Sequence, residues 1–443
     1  MNYITQGMLD DFHKKFGKDT KNQVAMNAVV MSGIEKTAAD FQSIRKNRNV
    51  FSLNLKQGDI TDQKMSGRCW MFAALNIMRF DLIKKYNLKN FEFSQSFPLF
   101  YDKLEKANYF LEAMLENLDE PLNGRLISYL LVSPLNDGGQ WDMFANLINK
   151  YGAVPKDVMP ESFSSSKTRG MNYYLTAKLR EFACCLRTEH EKGAELESLY
   201  GMKEQMMYEI YQILCICLGT PPETFDFEIE DKDGTFICDR GITPKEFYDK
   251  YVGWNLDETI SLIHAPTKDK PFQKCYTVKY LGNVKEGKEI RYLNLEMEYL
   301  KSAAVHQLKA GKPVWFGADV DHGMLFEEGV MDYEAYNAKV LFGTEFGLSK
   351  GQRLDYGESM MNHAMVLTGV NLDEQGRPDR WKVENSWGKE KGKEGYYVMS
   401  DGWFDEYVFQ IVAEKQYLSE EIRPYCELPL IQLEPWDPMG SLA

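Results

Sequence analysis

Three observations predict an α+β protein. The first part of the 443-residue chain carries helical patterns, and the last third carries short apolar runs bounded by Gly, Pro or Asp. That order argues for helices and sheet in separate regions rather than alternating units. Hydrophobic residues are 44% and charged residues 27% of the chain, proportions of a soluble globular protein that exclude disordered, collagenous and low-complexity classes. No apolar run approaches the roughly 18 residues that a membrane helix needs, so no membrane association is expected. The chain is longer than the roughly 250–300 residues at which a single core stops growing. Two domains, or one domain with a large insertion, are therefore expected.

Residues 1–50 mix short helical signals with loops. Residues 69–86, CWMFAALNIMRFDLIKKY, read as a helix, with Ala74, Ile77, Met78, Phe80 and Leu82 near one broad apolar face. Lys84 and Lys85 suit the negative end of its dipole. Residues 95–118 form a second helical run, for which Ser94 is a suitable cap. Gly138-Gly139 marks a sharp turn before a helix from Trp141 to Tyr151. Residues 168–218 are the longest helical stretch, expected to divide at Gly193 and Gly201. Beyond Pro221-Pro222 the pattern alternates: residues 225–239 predict a hairpin around Asp233-Gly234, and residues 276–297 a second. Residues 298–310 are helical again. Strands are expected at 313–320, 363–370, 380–387 and 395–401. The tail, LIQLEPWDPMGSLA, has two prolines in apolar surroundings and reads as an extended arm.

The net charge is −14. An acidic surface repels phosphate, which disfavours nucleic acid as a partner. The local basic spots, His13 to Lys21 and Arg45 to Arg48, read as solvated helix faces. The N-terminal MNYITQGMLDDFHKKFGKDT has charges where a secretory signal needs an apolar stretch, so a cytoplasmic protein is expected. Eight cysteines are too sparse for a disulfide scaffold. Cys184-Cys185 and the Cys215/Cys217 pair lack metal-site spacing and are expected to be small buried residues. His322, in Asp319-Val320-Asp321-His322, has no second histidine at ligand spacing. Neither a metal nor a cofactor is expected.

Three segments carry chemistry together: Gln63-Lys64-Met65-Ser66-Gly67-Arg68-Cys69-Trp70, Asn362-His363-Ala364, and Glu384-Asn385-Ser386-Trp387-Gly388. Cys69 stands at the predicted start of a helix, whose positive end favours a thiolate; a neighbouring imidazolium favours it more. Gly67 lets the chain turn closely before it. His363 begins an apolar strand and is placed to take the thiol proton and return it to a leaving amine. The Asn385 amide oxygen can accept from one ring N–H and fix which nitrogen faces sulfur. Trp387 can cover that bond. Gln63 can point a side-chain N–H at an oxyanion, with the Cys69 backbone N–H as second donor. Each residue alone has an ordinary structural reading. In one chain and in this order they match a Cys-His-Asn acyl-transfer site.

At these residues the sequence resembles the papain-like cysteine peptidases, and among them the bleomycin hydrolase and aminopeptidase C group. QKMSGRCWMFAALNIMR, NHAMVLTGV and VENSWG are similar to that group's nucleophile, histidine and asparagine blocks, and PWDPMGSLA to its C-terminal arm. The resemblance implies a papain-like fold, helical on one side and β-rich on the other. It implies Cys69 as nucleophile, His363 as base, Asn385 as orienting residue and Gln63 at the oxyanion hole. Gly138 and Gly139 would form the wall along which substrate backbone pairs, with Trp387 also at the substrate site. Two departures from the secreted enzymes stand out. Their disulfide cysteine three positions before the nucleophile is Ser66 here. The separation of Cys69 from His363 is about twice the roughly 130–150 residues they use. The excess implies an inserted helical and hairpin subdomain.

The expected organisation is thus a helical half with the nucleophile at 1–160, the insertion at 161–310, a β-rich half at 311–426 and the arm at 427–443. The group's insertions are associated with a homohexamer enclosing the active sites. Its arm lies in the cleft, where a carboxylate on Ala443 would pair with a substrate's α-ammonium group and block longer peptides. The implied activity is removal of N-terminal residues from peptides with a free N-terminus through a thioester acyl-enzyme, with bleomycin-hydrolase-like activity also open. The alternatives are a nucleic-acid-binding assembly and another thiol acyltransferase of transglutaminase type.

Overall fold

One helix organises the molecule. In the computed structural model, which describes residues 3–56 and 58–442, the helix Cys69–Lys85 is buried at every position from Cys69 to Phe80. Its sequence predicts one apolar face. Burial extends to all faces because it is enclosed by the sheet on one side and by the helix Trp141–Tyr151 on another. The indole N–H of Trp315 donates to the Trp70 carbonyl at 3.1 Å, tying sheet to helix.

The helices Ser96–Leu115, Arg125–Val132 and Trp141–Tyr151 complete the helical side. The hydroxyl of Ser94 accepts from the Phe97 N–H at 3.1 Å, as a cap should. The long helical stretch is two helices, Arg169–Glu191 and Leu196–Leu218. The break falls at Gly193 alone, where φ is 87°; Gly201 continues the second helix. The inward face of the first is Leu175, Leu179, Phe182, Ala183 and Leu186. That phase turns Cys184 and Cys185 to solvent, correcting their expected burial, and Cys215 and Cys217 are half-buried. The hairpin expected at 225–239 forms from Phe225–Glu230 and Phe236–Ile242, a separate two-stranded sheet.

The sheet has twelve strands among the described residues. In spatial order the main path runs Leu430–Leu433, Lys274–Val278, Tyr292–Asn294, Thr259–Ile263, Val408–Glu414, Val314–Ala318, His363–Leu372, Pro378–Glu384, Tyr396–Ser400, Val330–Met331 and Met324–Leu325. Leu53–Asn54 adds to the His363–Leu372 strand. The 274–278 and 292–294 strands do pair antiparallel, but inside this sheet rather than as a hairpin apart. Residues 259–309 therefore pack with the β-rich half, and the helical and hairpin excursion ends earlier than the sequence suggests. The arm follows the expectation of extended chain: Leu430–Leu433 is an edge strand parallel to Lys274–Val278.

A buried ion pair fixes the two sides together. Arg79, on the nucleophile helix, meets Glu384 at 3.0 Å, with side chains 1% and 0% exposed. Asn76 also donates to Glu384 at 3.0 Å. Such a pair adds little net stability, but stranding one of its charges costs about 3–5 kcal/mol. Glu384 immediately precedes Asn385, so this lock sets the asparagine relative to the helix that carries Cys69.

Candidate active site

Cys69 is the first residue of its helix and is 2% exposed. The main-chain amide of Ala364 lies close to its sulfur, and the two residues share one buried cluster. The His363–Ala364 peptide, at the start of the strand His363–Leu372, therefore lies against the thiol. The His363 Nε2 stands 2.9 Å from the Asn385 Oδ1. That oxygen also accepts from the Ser386 N–H at 2.8 Å, which fixes the amide with its oxygen toward the ring. The ring must then present Nε2–H to Asn385, leaving Nδ1 for the sulfur. Trp387 lies over this pair, its ring centroid 4.7 Å from that of His363. It shields the imidazole rather than only lining a substrate surface. Beside it opens a groove lined by Asp62, Lys64, Phe326, Trp387 and Lys391.

Burial pushes the Cys69 thiol up to about 11, against the amides of Ala364, Trp70 and Cys69. Burial likewise pushes the His363 imidazole down to about 4, against the Asn385 bond. Each group by itself is held neutral. A proton moved from sulfur to ring would leave two opposite charges, whose attraction in a dry cleft would work against both burial costs. The helix N-terminus adds to the anion's side.

Gln63 is locked between the two catalytic segments. Its Nε2 donates to the Ser66 carbonyl at 2.7 Å, and its Oε1 accepts from the Ser386 hydroxyl at 2.6 Å. One side-chain N–H remains for an oxyanion. The backbones are zipped as well: Gln63 N–H to Ser386 O at 2.8 Å and Gly388 N–H to Thr61 O at 3.1 Å. Gly388 is required there, with φ of 76° and a Cβ that would sit 2.9 Å from the Asp62 carboxylate. Ser66 takes part in this brace. Its hydroxyl donates to Gln63 O and accepts from Arg68 Nε at 2.9 Å. The buried Arg68 then grips Glu161 with two bonds, at 3.1 and 2.9 Å. Burial would raise the Glu161 carboxyl, but Arg68 and Lys156 bring it down to about 2. Hydrogen bonds and an ion pair thus hold this loop without a disulfide.

Gly138 and Gly139 lie beside the nucleophile helix. A Cβ on Gly139 would come 2.5 Å from the Trp70 ring, so only glycine allows this approach. The Gly138 carbonyl accepts from the Lys106 ammonium at 2.6 Å. Asp137, just before them, accepts from the Gly67 N–H at 3.0 Å, from Lys103 at 2.6 Å and from Asn172 at 2.7 Å. Burial would raise its carboxyl, but Lys103 and these bonds hold it well below the usual carboxylate range. Sequence reasoning missed Asp137, Lys103, Lys106, Arg68 and Arg79. Lys103 and Lys106 sit in a run that reads as solvated helix, and Arg68 and Arg79 beside and within the nucleophile helix show their burial only once their distant partners are in place.

The arm returns toward this wall. Trp436 lies under the Arg125 guanidinium at 3.7 Å, Asp437 pairs with Lys270 at 2.9 Å, and Met439 is buried. The Ser441 carbonyl accepts from the Gln140 side chain at 2.6 Å, next to Gly139. Ala443 lies outside the described residues. His322 belongs to another place, stacked on Tyr407 with ring centroids 5.3 Å apart. Among the described residues, no group of three or more His, Cys, Asp or Glu is arranged to hold a metal, and no helix is long and apolar enough to cross a membrane.

The chain is similar to known proteins along nearly its whole length. Aminopeptidase C of Listeria monocytogenes is 47% identical over 442 residues, covering 99% of each chain. Aminopeptidase C of Lactobacillus delbrueckii subsp. lactis is 45% identical over 444 residues, covering 99% of this chain and 98% of its own. Bleomycin hydrolase of Gallus gallus is 43% identical over 392 residues, covering 87% of this chain and 86% of its own. The crystal structure of pepw from Lactobacillus rhamnosis HN001 superposes with a TM-score of 0.97 at 47% identity, covering 100% of both chains. The helical side and the sheet side together are the papain-like arrangement that the resemblance implied. A model of the peptidase C1-like family matches residues 3–440, and the chain belongs to that family.

Proposed function

We propose that the chain is a cytoplasmic cysteine aminopeptidase that releases N-terminal residues through a thioester. The observation that carries the chemistry is the meeting of Cys69 with the His363–Ala364 peptide, with Asn385 behind the ring. The Cys69 thiolate attacks the carbonyl carbon of the N-terminal residue. The resulting oxyanion takes hydrogen bonds from the Gln63 side chain and the Cys69 N–H. Collapse breaks the C–N bond, and the His363 imidazolium gives its proton to the departing amine. Water, deprotonated by the now neutral His363, then hydrolyses the thioester and frees the amino acid and the thiol. No metal or cofactor enters these steps.

Selection for free N-termini rests on the arm. Ser441 at the Gly138-Gly139 wall supports a position for the terminal carboxylate where it would meet the substrate's α-ammonium and stop longer chains. Deleting residues 441–443 is expected to lower kcat/KM for free-amine peptides by about 10–100-fold, the worth of a charge-assisted bond, and to admit N-acetylated peptides. Steady-state rates on matched acetylated and free peptides check this; unchanged selectivity would remove the arm from the account.

The homohexamer implied by the resemblance has support in the N-terminal helices Gln6–Lys18 and Thr20–Ser32. They contain no buried residue, yet Leu9, Phe12, Phe16, Val24, Val30 and Met31 are exposed. An apolar surface of this kind is what a second copy of the chain would cover in such an assembly. Light scattering should give about six times the chain's mass, and a monomer in solution would contradict the assembly.

A further inference from the structure

Gln140 directly follows the Gly138-Gly139 wall and precedes the helix Trp141–Tyr151. It is 0% exposed, yet its side chain makes no capping bond to that helix. Its amide instead donates to the Ser441 carbonyl at 2.6 Å. Its Oε1 is buried without a donor among the described residues. A buried carboxamide is costly unless it is bonded. Among the described residues, this side chain's bond is to the arm, so an amide at this position is accounted for by the arm's presence.

The setting makes the contact a rigid one. Gly139 is pressed against the Trp70 ring, and Lys106 holds the Gly138 carbonyl at 2.6 Å. Upstream, the arm is fastened independently at Trp436, Asp437 and Met439. Beyond Ser441 the Leu442 side chain packs against the core, so Gln140 holds the main chain at the last turn before the arm's end. We infer that Gln140 is the latch that holds the end of the C-terminal arm along the substrate wall, and so is a specificity-determining residue for exopeptidase against endopeptidase cleavage. This rests on the reading that the arm closes the cleft. Without the latch, the upstream contacts keep the arm on the surface, while its last residues leave the wall and uncover the path of a longer peptide.

The test uses the full chain with Gln140→Met, which keeps length and apolar burial, and Gln140→Glu, which keeps shape but offers only acceptors to the Ser441 carbonyl. A chain ending at Gly440 serves as reference. Two quantities are read: the ratio of kcat/KM for an N-acetylated tripeptide amide to that for its free-amine form, and the rate at which carboxypeptidase removes Ala443 and Leu442. Both variants are expected to raise the ratio at least tenfold, toward that of the shortened chain, and to speed trimming at least tenfold. If the shortened chain raises the ratio while both variants stay within twofold of the parent in ratio and trimming, the latch is overturned and the arm reading stands. If the shortened chain itself leaves the ratio unchanged, the arm reading fails, and the latch fails with it.

Discussion

Replacing Cys69 with Ala is expected to lower kcat on the order of 10⁵-fold or more, the scale on which a covalent nucleophile matters. The sulfur forms and breaks the bond to the acyl group, and the neighbouring hydrogen-bond donors have no nucleophile to serve without it. Fold and binding should survive. Cys69 is 2% exposed, and trimming one buried sulfur leaves a small cavity, a loss of about 1 kcal/mol by analogy with one-methyl core truncations. Thermal unfolding of the variant should stay close to that of the parent, and it should still bind peptide. A variant that released amino acid at an undiminished rate would exclude Cys69 as nucleophile.

The second large effect is at the ring. His363→Ala is expected to lower kcat/KM by about 10²–10⁴-fold, the usual worth of general acid–base catalysis. It should also change how the sulfur titrates. With the ring present, the working form is thiolate beside imidazolium. Protonating the sulfur gives the acid limb of the rate profile, and losing the ring proton gives the basic limb. With the ring gone the sulfur has no partner cation, and burial, which already pushes it up in the intact protein, is left to govern it. The pH dependence should then become a single rise at high pH. Asn385 is expected to act through the ring: its oxygen at 2.9 Å from Nε2 leaves Nδ1 as the nitrogen free to exchange a proton.

The proposed catalytic residues are legible in the sequence because each stands at the edge of an element and is marked by its neighbours. Cys69 follows Gly67 and opens an apolar helix, His363 opens a strand, and Asn385 directly follows the end of one, two residues before Trp387. What holds them is not legible. Arg79 and Glu384 lie 305 positions apart, and Lys103 with Asp137 is invisible until Ser96–Leu115 packs against the wall. A lysine within an amphipathic run reads as solvated unless its partner is known. The same limit hides the strand Thr259–Ile263. A short apolar run has no side until its partner, here Val408–Glu414, is in place. Cys184 and Cys185 mislead for the opposite reason. Their surroundings in sequence are apolar, but the helix phase is set by Leu179, Phe182 and Leu186 and turns both outward.

The most direct measurement is the pH dependence of Cys69 alkylation by iodoacetamide, followed on the Cys69 peptide by mass spectrometry so that the exposed thiols do not contribute. With His363 in place, the rate should already be substantial at pH 6 and stay nearly level to pH 8, as for a thiolate paired with an imidazolium. In His363→Ala it should rise only above pH 9. A parent protein whose Cys69 reacts only above pH 9, like the variant, would contradict the account, because burial would then govern the sulfur and the ring would contribute nothing to it.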